Sequence, residues 1–148
     1  MKIGGWVALA LIASACADPP VPLTATVDAV ASTSSVVGGG SQLVVKVTNT
    51  GRLIPHLGLV FRTADRWYER HRITNLGGCT VAADASAFDC GDLAANETKT
   101  YSFDGIATAT GSFHYELALR ELVQPFDYLN EHRDGVDVHA WDETVAAQ

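Results

Sequence analysis

Hydrophobic and polar residues alternate along several short stretches of this chain, most clearly over residues 43–51. Leu43, Val45 and Val47 fall on one face of an extended strand, and Lys46 falls on the other. The stretch is rich in β-branched residues and ends at a turn signal that contains glycine. The sequence therefore predicts a core β-strand at this point.

The same alternation recurs along the rest of the chain, and no window shows the 3.6-residue apolar repeat of an amphipathic helix. Gly105 is expected to permit a bulge within its strand. In the last predicted strand, residues 136–145, the side chains of Val136, Val138 and Ala140 are expected on one face. The other predicted strands cover residues 23–31, 57–62, 80–81, 87–88, 101–106, 111–119 and 136–145. About seven short strands separated by turns indicate an all-β fold, an immunoglobulin-like antiparallel β-sandwich.

The first 15 residues have the composition of a signal peptide rather than of a folded segment. Lys2 supplies a positive start, and residues 6–15 form an uncharged, mostly apolar run that is too short to span a bilayer. The run ends in Ala-Ser-Ala-Cys, which satisfies a small-x-small cleavage rule and also resembles a bacterial lipobox. Either interpretation leaves Cys16 as the first mature residue. Residues 16–22 then form a proline-rich spacer, and residues 23–148 form the sandwich domain.

Three cysteines occur in the chain, and two of them, Cys79 and Cys90, are close enough in sequence to pair locally. Cys79 and Cys90 lie in a predicted hairpin, so we expect a structural disulfide that contributes roughly 3 kcal/mol. Cys16 is then unpaired, which needs an explanation in an exported protein. Acylation of Cys16 supplies one, because several acyl chains hold a protein firmly to a bilayer. An ordinary signal peptide followed by an unmodified thiol is the alternative.

Composition and charge limit the classes of partner that the protein can bind. The chain is 47% hydrophobic, which favours a folded core, and its formal net charge is −7. An acidic domain would be repelled by a phosphate backbone, so nucleic acid is not an expected partner. The leader and Cys16 together predict an extracytoplasmic location, anchored by lipid to the bacterial cell membrane or outer membrane.

A candidate binding loop lies between residues 64 and 78, where the alternation is lost. Arginine forks bind carboxylates and phosphates, and aromatic faces stack on sugar rings. The residues that could act in this way are Arg66, Trp67, Tyr68, Arg70 and Arg72. The alternative is that the two aromatic residues cap the sandwich while the arginines pair with the excess acid.

Histidines are candidate metal ligands in this chain, because β-sandwiches can carry copper sites. A blue-copper site needs two histidines, a free cysteine and usually a methionine, and the mature chain lacks the last two. The five histidines are therefore interpreted as surface residues, and no cofactor is predicted. A metal-binding periplasmic lipoprotein that uses His114 and His139 is kept as the alternative function.

Acidic residues near the end of the chain lack the spacing of a calcium loop and are interpreted as a solvated strand edge. They are Asp134, Asp137, Asp142 and Glu143. Sequence signatures of nucleophilic or metal-dependent hydrolysis and of nucleotide binding are absent from the sequence. We therefore predict that the protein is not an enzyme.

The order of several motifs resembles the immunoglobulin-like repeat modules of bacterial cell-surface proteins, including the CARDB-type domains. The motifs are Val-Thr-Asn-Thr-Gly at 47–51, Gly-Cys-Thr-Val at 78–81, Asp-Cys-Gly-Asp-Leu-Ala-Ala at 89–95 and Thr-Lys-Thr-Tyr-Ser-Phe at 98–103. The likeness covers residues 23–119, with Asn96 where the family has a turn glycine. Tyr115 and Leu117 also resemble the tyrosine-corner strand of immunoglobulin-like domains. The resemblance implies a binding or spacer role. We expect a binding, adhesion or envelope-assembly module whose partner is an envelope protein or a glycan.

Overall fold

The computed structural model describes residues 23–82, 87–123, 129, 131–132 and 135–148. Cys16, the spacer and the leader lie outside these residues. The described part contains twelve strands and a single helical turn, so the predicted all-β class is confirmed. The elements are β1 (Ala25–Ala31), β2 (Ser34–Val36), β3 (Gly40–Asn49), β4 (Leu57–Phe61), α1 (Trp67–Arg70), β5 (His71–Asn75), β6 (Thr80–Val81), β7 (Ala87–Asp89), β8 (Thr98–Ala107), β9 (Gly111–Glu121), β10 (Glu131–His132), β11 (Gly135–Val136) and β12 (His139–Ala146).

Two sheets face each other across the core. Sheet A has the strand order β1-β3-β8-β5, and sheet B has the order β2-β12-β9-β4-β7-β6, while β10 and β11 pair separately. Neighbouring strands are antiparallel except β2 and β12, which run parallel at one edge of sheet B. The arrangement is an immunoglobulin-like sandwich, as the sequence predicts.

The inner faces follow the predicted alternation. Leu43, Val45 and Val47 are fully buried on β3, and on β9 the core side carries Tyr115 and Leu117, both fully buried. The two sheets also meet through stacked rings, since the Phe88 and Phe103 centroids are 4.7 Å apart. The strand period of two residues therefore determines which side chains form the core.

Strand β4 is buried on both faces, which the predicted alternation did not anticipate. A Cβ atom placed on Gly58 would lie 2.6 Å from the Leu122 side chain, so the chain after β9 covers the outer face of this strand. Further along this segment, the backbone N–H of Leu129 donates to the carbonyl oxygen of Leu119 on β9 at 3.0 Å. Glycine at position 58 allows this close approach.

Two strands occur where the sequence predicts loops. Strand β2 lies within residues 32–40, which the sequence leaves between two predicted strands, and β5 lies within residues 64–78, where the alternation is lost. The register of β5 against β8 shifts between Ile73 and Asn75, so the extra residue is on β5. The predicted bulge at Gly105 is therefore wrong, because β8 pairs continuously with β3 through this residue. Gly105 has another role: an added Cβ would lie 2.8 Å from the Cβ of His71.

The last strand begins later than predicted and presents a different side to the core. Val138 and Ala140 are exposed, whereas Glu143 and Val145 are buried. The side chain of Val136 lies outside the described residues. The predicted solvated edge is therefore wrong for Glu143, whose exposed fraction is 0%.

Asn49, the asparagine of the Val-Thr-Asn-Thr-Gly motif, is buried and ties two loops together. Its amide nitrogen donates to the carbonyl oxygens of Arg52 at 2.8 Å, Leu93 at 3.1 Å and Ala94 at 2.9 Å. Its amide oxygen accepts the N–H of Gly51 at 2.8 Å. The motif thus joins the turn after β3 to the loop before β8.

The predicted disulfide is confirmed. Cys79 and Cys90 are bonded, with their Cα atoms 4.1 Å apart, and they bracket the hairpin of β6 and β7. Phe88 is buried beside the bond, whereas Val81 is 48% exposed. The bond therefore fixes the edge of sheet B next to the core ring of Phe88.

Candidate functional site

The aromatic residues of the candidate binding loop point into the sandwich. Trp67 is fully buried, and its ring stacks on that of His71 with centroids 4.5 Å apart. Tyr68 is half-buried and packs edge-on against Phe61 and Phe88 at centroid distances of 5.8 and 5.4 Å. The indole face that could have stacked on a sugar is thus occupied by protein.

The arginines of the loop lie beside acidic and aromatic neighbours. Arg66 is 3.5 Å from the carboxylate of Glu69, and Arg70 is 2.9 Å from that of Asp65. The Arg70 guanidinium also lies 5.0 Å from the centre of the Phe113 ring, within cation–π range.

Arg72 is exposed on β5, opposite Ile106 of β8. The structure therefore separates the buried aromatic residues from the arginines with which they were grouped. Ligand binding by this set of residues stays a prediction.

The most concentrated polar chemistry in the described residues lies elsewhere, inside the sandwich around Glu143. One oxygen of its carboxylate, Oε1, accepts hydrogen bonds from the hydroxyls of Ser35 at 3.0 Å and Ser41 at 3.1 Å. The other oxygen, Oε2, accepts the phenol of Tyr115 at 3.4 Å. His71 reaches Oε1 through Nε2 at 3.3 Å. These side chains come from β2, β3, β5, β9 and β12, so both sheets contribute to one buried network.

His71 lies between two oxygen atoms. Its second ring nitrogen, Nδ1, lies 2.9 Å from the carbonyl oxygen of Trp67, which can only accept, so Nδ1 is the donor of this hydrogen bond. Nε2 faces the Glu143 carboxylate, and the two side chains form a buried histidine–carboxylate pair.

The electrostatics agree with an ionised Glu143. Burial favours the neutral acid, but the hydrogen bond and charge of His71, together with the serine hydroxyls, hold the pKa of the Glu143 carboxyl below its ordinary value. Burial and the nearby carboxylate raise the pKa of the Tyr115 phenol, so it remains a hydrogen-bond donor. Tyr115 donates to a buried side chain, in contrast to a tyrosine corner, in which the phenol bonds to the backbone.

Sequence reasoning missed this network, although a signal was present. Glu143 lies two residues from both Trp141 and Val145 along β12, so its side chain is on the same face as theirs, the face that packs toward the core. The interpretation of all histidines as surface residues is wrong for His71, which is 2% exposed. The alternation of side chains along β12 predicts an inward position for the glutamate, where a carboxylate requires a hydrogen-bond or charge partner.

His114 and His139 lie on neighbouring strands but on opposite faces of sheet B. His114 is opposite Asp142 in the register, and His139 is opposite Leu117. Side chains of successive strand residues point to opposite faces, so the outward His114 and the inward His139 do not converge. Among the described residues, no three potential metal ligands come together.

His114 instead forms a surface pair with Asp142. Its Nδ1 lies 2.8 Å from the Asp142 carboxylate, and its Nε2 lies 3.7 Å from that of Glu116. The hydrogen bond to Asp142 raises the pKa of the His114 ring above its ordinary value. This pair is solvated, in contrast to the pair of His71 and Glu143.

Comparisons with known proteins support the class that the fold defines, an immunoglobulin-like β-sandwich. The structure resembles the CARDB domain of a protein from Pyrococcus furiosus, which was crystallised in complex with di-metal ions. The TM-score is 0.52 at 15% sequence identity, and the likeness covers 85% of this chain and 96% of that domain. The fold is thus that of a CARDB-type module.

Other comparisons gave no match. No family model and no curated protein matches this sequence. Within the part of the chain that the structure describes, helices with the length and apolarity needed to cross a bilayer are absent.

Proposed function

We propose that this chain is a membrane-anchored extracytoplasmic lipoprotein whose immunoglobulin-like sandwich serves as a binding or envelope-assembly module. Lipid on Cys16 attaches it to the bacterial cell membrane or outer membrane, and the proline-rich spacer separates the domain from the lipid. Its partner is an envelope protein or a glycan. The role is non-enzymatic.

The observation that carries the proposal is the disulfide. Three cysteines occur in the sequence, and two of them, Cys79 and Cys90, are bonded to each other inside the domain. Cys16 follows a leader of secretory composition and has no remaining cysteine in the chain with which to pair. A cysteine at that position in an exported chain is suited to acylation, and multiple acyl chains give stable anchoring.

The β-sandwich fold supports the proposed role as a binding or envelope-assembly module. Its core is filled by apolar side chains from both sheets, and its fold is shared with a CARDB domain. Such a scaffold presents loops and sheet faces to partners on a rigid core. His114 and His139, the residues of the metal-binding alternative, lie on opposite faces of sheet B and so do not share a site.

The test compares the full-length protein with its Cys16→Ser variant in a bacterial host. The wild-type protein is expected in the membrane fraction and is expected to incorporate labelled palmitate. The variant is expected to lose the label and to leave the membrane fraction, while its domain remains folded. Cys79→Ser is the matched control, because it removes a cysteine of the domain without touching the predicted lipid attachment. Retention of Cys16→Ser in the membrane, or wild-type protein without label, would contradict the proposal.

A further inference from the structure

The outer face of sheet A contains an open depression of about 400 Å³. Gly40 forms part of its floor: a Cβ atom added there would meet no heavy atom within 4 Å. The residues that line it come mainly from three adjacent strands and are Ser32, Gly40, Ser41, Gln42, Thr74, Asp104, Gly105 and Ile106. The missing side chain at position 40 thus leaves space on an otherwise continuous sheet.

Register places the polar groups of this depression side by side. Gln42 of β3 lies opposite Asp104 of β8, and Gly40 lies opposite Ile106. The Ser32 hydroxyl oxygen accepts the backbone N–H of Gln42 at 3.0 Å, which leaves its own hydrogen available to a ligand. The depression therefore combines hydrogen-bond donors and acceptors with one apolar wall.

Asp104 is held in a fixed orientation at the centre of this group. One carboxylate oxygen accepts from the Gln42 amide at 3.1 Å, and the other accepts from the Asn75 amide at 3.0 Å. These hydrogen bonds lower the pKa of the Asp104 carboxyl, and the one from Asn75 has the larger effect. Each oxygen retains a further lone pair that can accept from a hydroxyl group. An oriented carboxylate next to amides and hydroxyls is well suited to polyhydroxyl ligands.

The face around the depression is close to neutral, although the chain as a whole carries −7. Asp28 lies opposite Lys46 toward one end, and Arg72 on β5 lies opposite Ile106 near Asp104. The outward residues of β8 between these pairs are threonine and serine. A face with balanced charge does not attract a charged polymer from a distance, and hydrogen bonding is its main means of recognition.

We propose that this depression binds an uncharged carbohydrate chain through hydrogen bonds from sugar hydroxyls to Asp104 and Gln42. The inference rests on the proposed function and names the chemical class of its partner. Position in the fold agrees with it: the spacer precedes the Ala25 end of β1, and Ser32 follows the opposite end of that strand. An anchored domain would therefore present the depression at the end of β1 that is remote from its lipid.

The test uses the full-length lipoprotein, purified in detergent, on an array of short neutral oligosaccharides. The array contains oligomers of glucose, mannose, galactose and N-acetylglucosamine, with oligomers of glucuronate as the charged comparison. We expect saturable binding of at least one neutral oligomer and weaker binding of glucuronate, which Asp104 repels.

Two variants test the location of binding. Gly40→Val places a side chain in the open space without a steric conflict, so the protein should fold normally and binding should be lost. Asp104→Asn keeps the shape but removes the charged acceptor, so affinity should fall about tenfold or more. Thr48→Val is the control, because Thr48 lies on the same face at the far end of β3; its binding should equal that of the wild type.

Failure to bind every neutral oligomer would overturn the inference, as would preferential binding of glucuronate. Unchanged binding by both Gly40→Val and Asp104→Asn, in variants shown to be folded by thermal unfolding, would also overturn it. Membrane attachment through Cys16 is measured separately. A protein that is lipidated but does not bind these sugars would refute this inference alone and leave the proposed function in place.

Discussion

Two histidine–carboxylate pairs in this molecule have the same chemistry and opposite surroundings. His71 and Glu143 are both 0% exposed in their side chains, with Nε2 and Oε1 3.3 Å apart. His114 and Asp142 lie closer, at 2.8 Å, but their side chains are 51% and 81% exposed. Distance alone would rank the surface pair as the stronger interaction.

Burial reverses that ranking for the effect of removing one partner. Water solvates His114 and Asp142 whether or not they meet, so their attraction is screened. Glu143 has no such substitute, and the loss of His71 would leave a charge inside the protein. The buried pair also has the hydroxyls of Ser35, Ser41 and Tyr115 directed at it, so its disruption leaves several donors without an acceptor.

The largest expected effect comes from neutralising one acid in each pair. Glu143→Gln is expected to lower the free energy of unfolding by about 3–5 kcal/mol, since it removes one partner of a buried, hydrogen-bonded pair. Asp142→Asn is the matched variant on the surface and should unfold at nearly the same denaturant concentration as the wild type. Urea unfolding of the oxidised protein measures both. Similar losses in the two variants would show that burial does not distinguish the pairs.

An intermediate effect is expected from Gly105→Ala, which moves the buried pair without changing its charges. The new Cβ would lie 2.8 Å from the Cβ of His71 and 3.1 Å from the Trp67 ring. Overpacking of this kind costs about 1–3 kcal/mol. Gly40→Ala, on the open face of the same sheet, is the control and should not destabilise the protein. Unfolding curves that coincide for the two variants would contradict the role assigned to Gly105.

Acid is expected to weaken the buried pair progressively. The folded pKa of Glu143 lies below its ordinary value of 4.5, so the stability it contributes is complete above that value. This contribution is lost as the pH falls through the lower, folded pKa. Unfolding free energies measured from about pH 6 to about pH 3 should fall more steeply in the wild type than in Glu143→Gln. Parallel curves would show that another carboxyl group is responsible.

The smallest effect is expected at the surface pair, and its sign is opposite. The folded pKa of His114 is raised above 6.5, so its contribution is present below that value and is lost as the pH rises through the folded pKa. An NMR titration of the His114 ring should show the raised midpoint, and Asp142→Asn should lower it. A midpoint that does not respond to Asp142→Asn would contradict the hydrogen bond as the cause.

Strands with clean alternation were predictable, and those that depend on distant partners were not. Leu43, Val45 and Val47 identify β3 from local sequence because their period of two matches a half-buried sheet. Strand β5 carries Arg72 and Asn75, and it is a strand because β8 pairs with it. Such pairing is decided by contacts far apart in sequence, which local propensity does not contain.

The candidate sites differ in the same way. The disulfide followed from the spacing of Cys79 and Cys90, because a hairpin brings residues at that separation together. The sequence alone predicts a surface position for Glu143, because a charged residue is rarely buried. Its partners Ser41 and His71 are separated from it by 102 and 72 positions, so nothing near it in the sequence indicates that it is satisfied.

The position of β12 has a consequence for the order of folding. This last strand lies between β2 and β9, and its partner Ser35 is 108 residues earlier in the chain. Long-range pairings of this kind form slowly, because a large loop must close before any contact stabilises it. The hairpin that carries the disulfide spans only 11 positions, so its thiols can meet and oxidise while the sandwich is still open. We therefore expect the hairpin to close early and β12 to enter sheet B late, delivering Glu143 to the core as the native state forms.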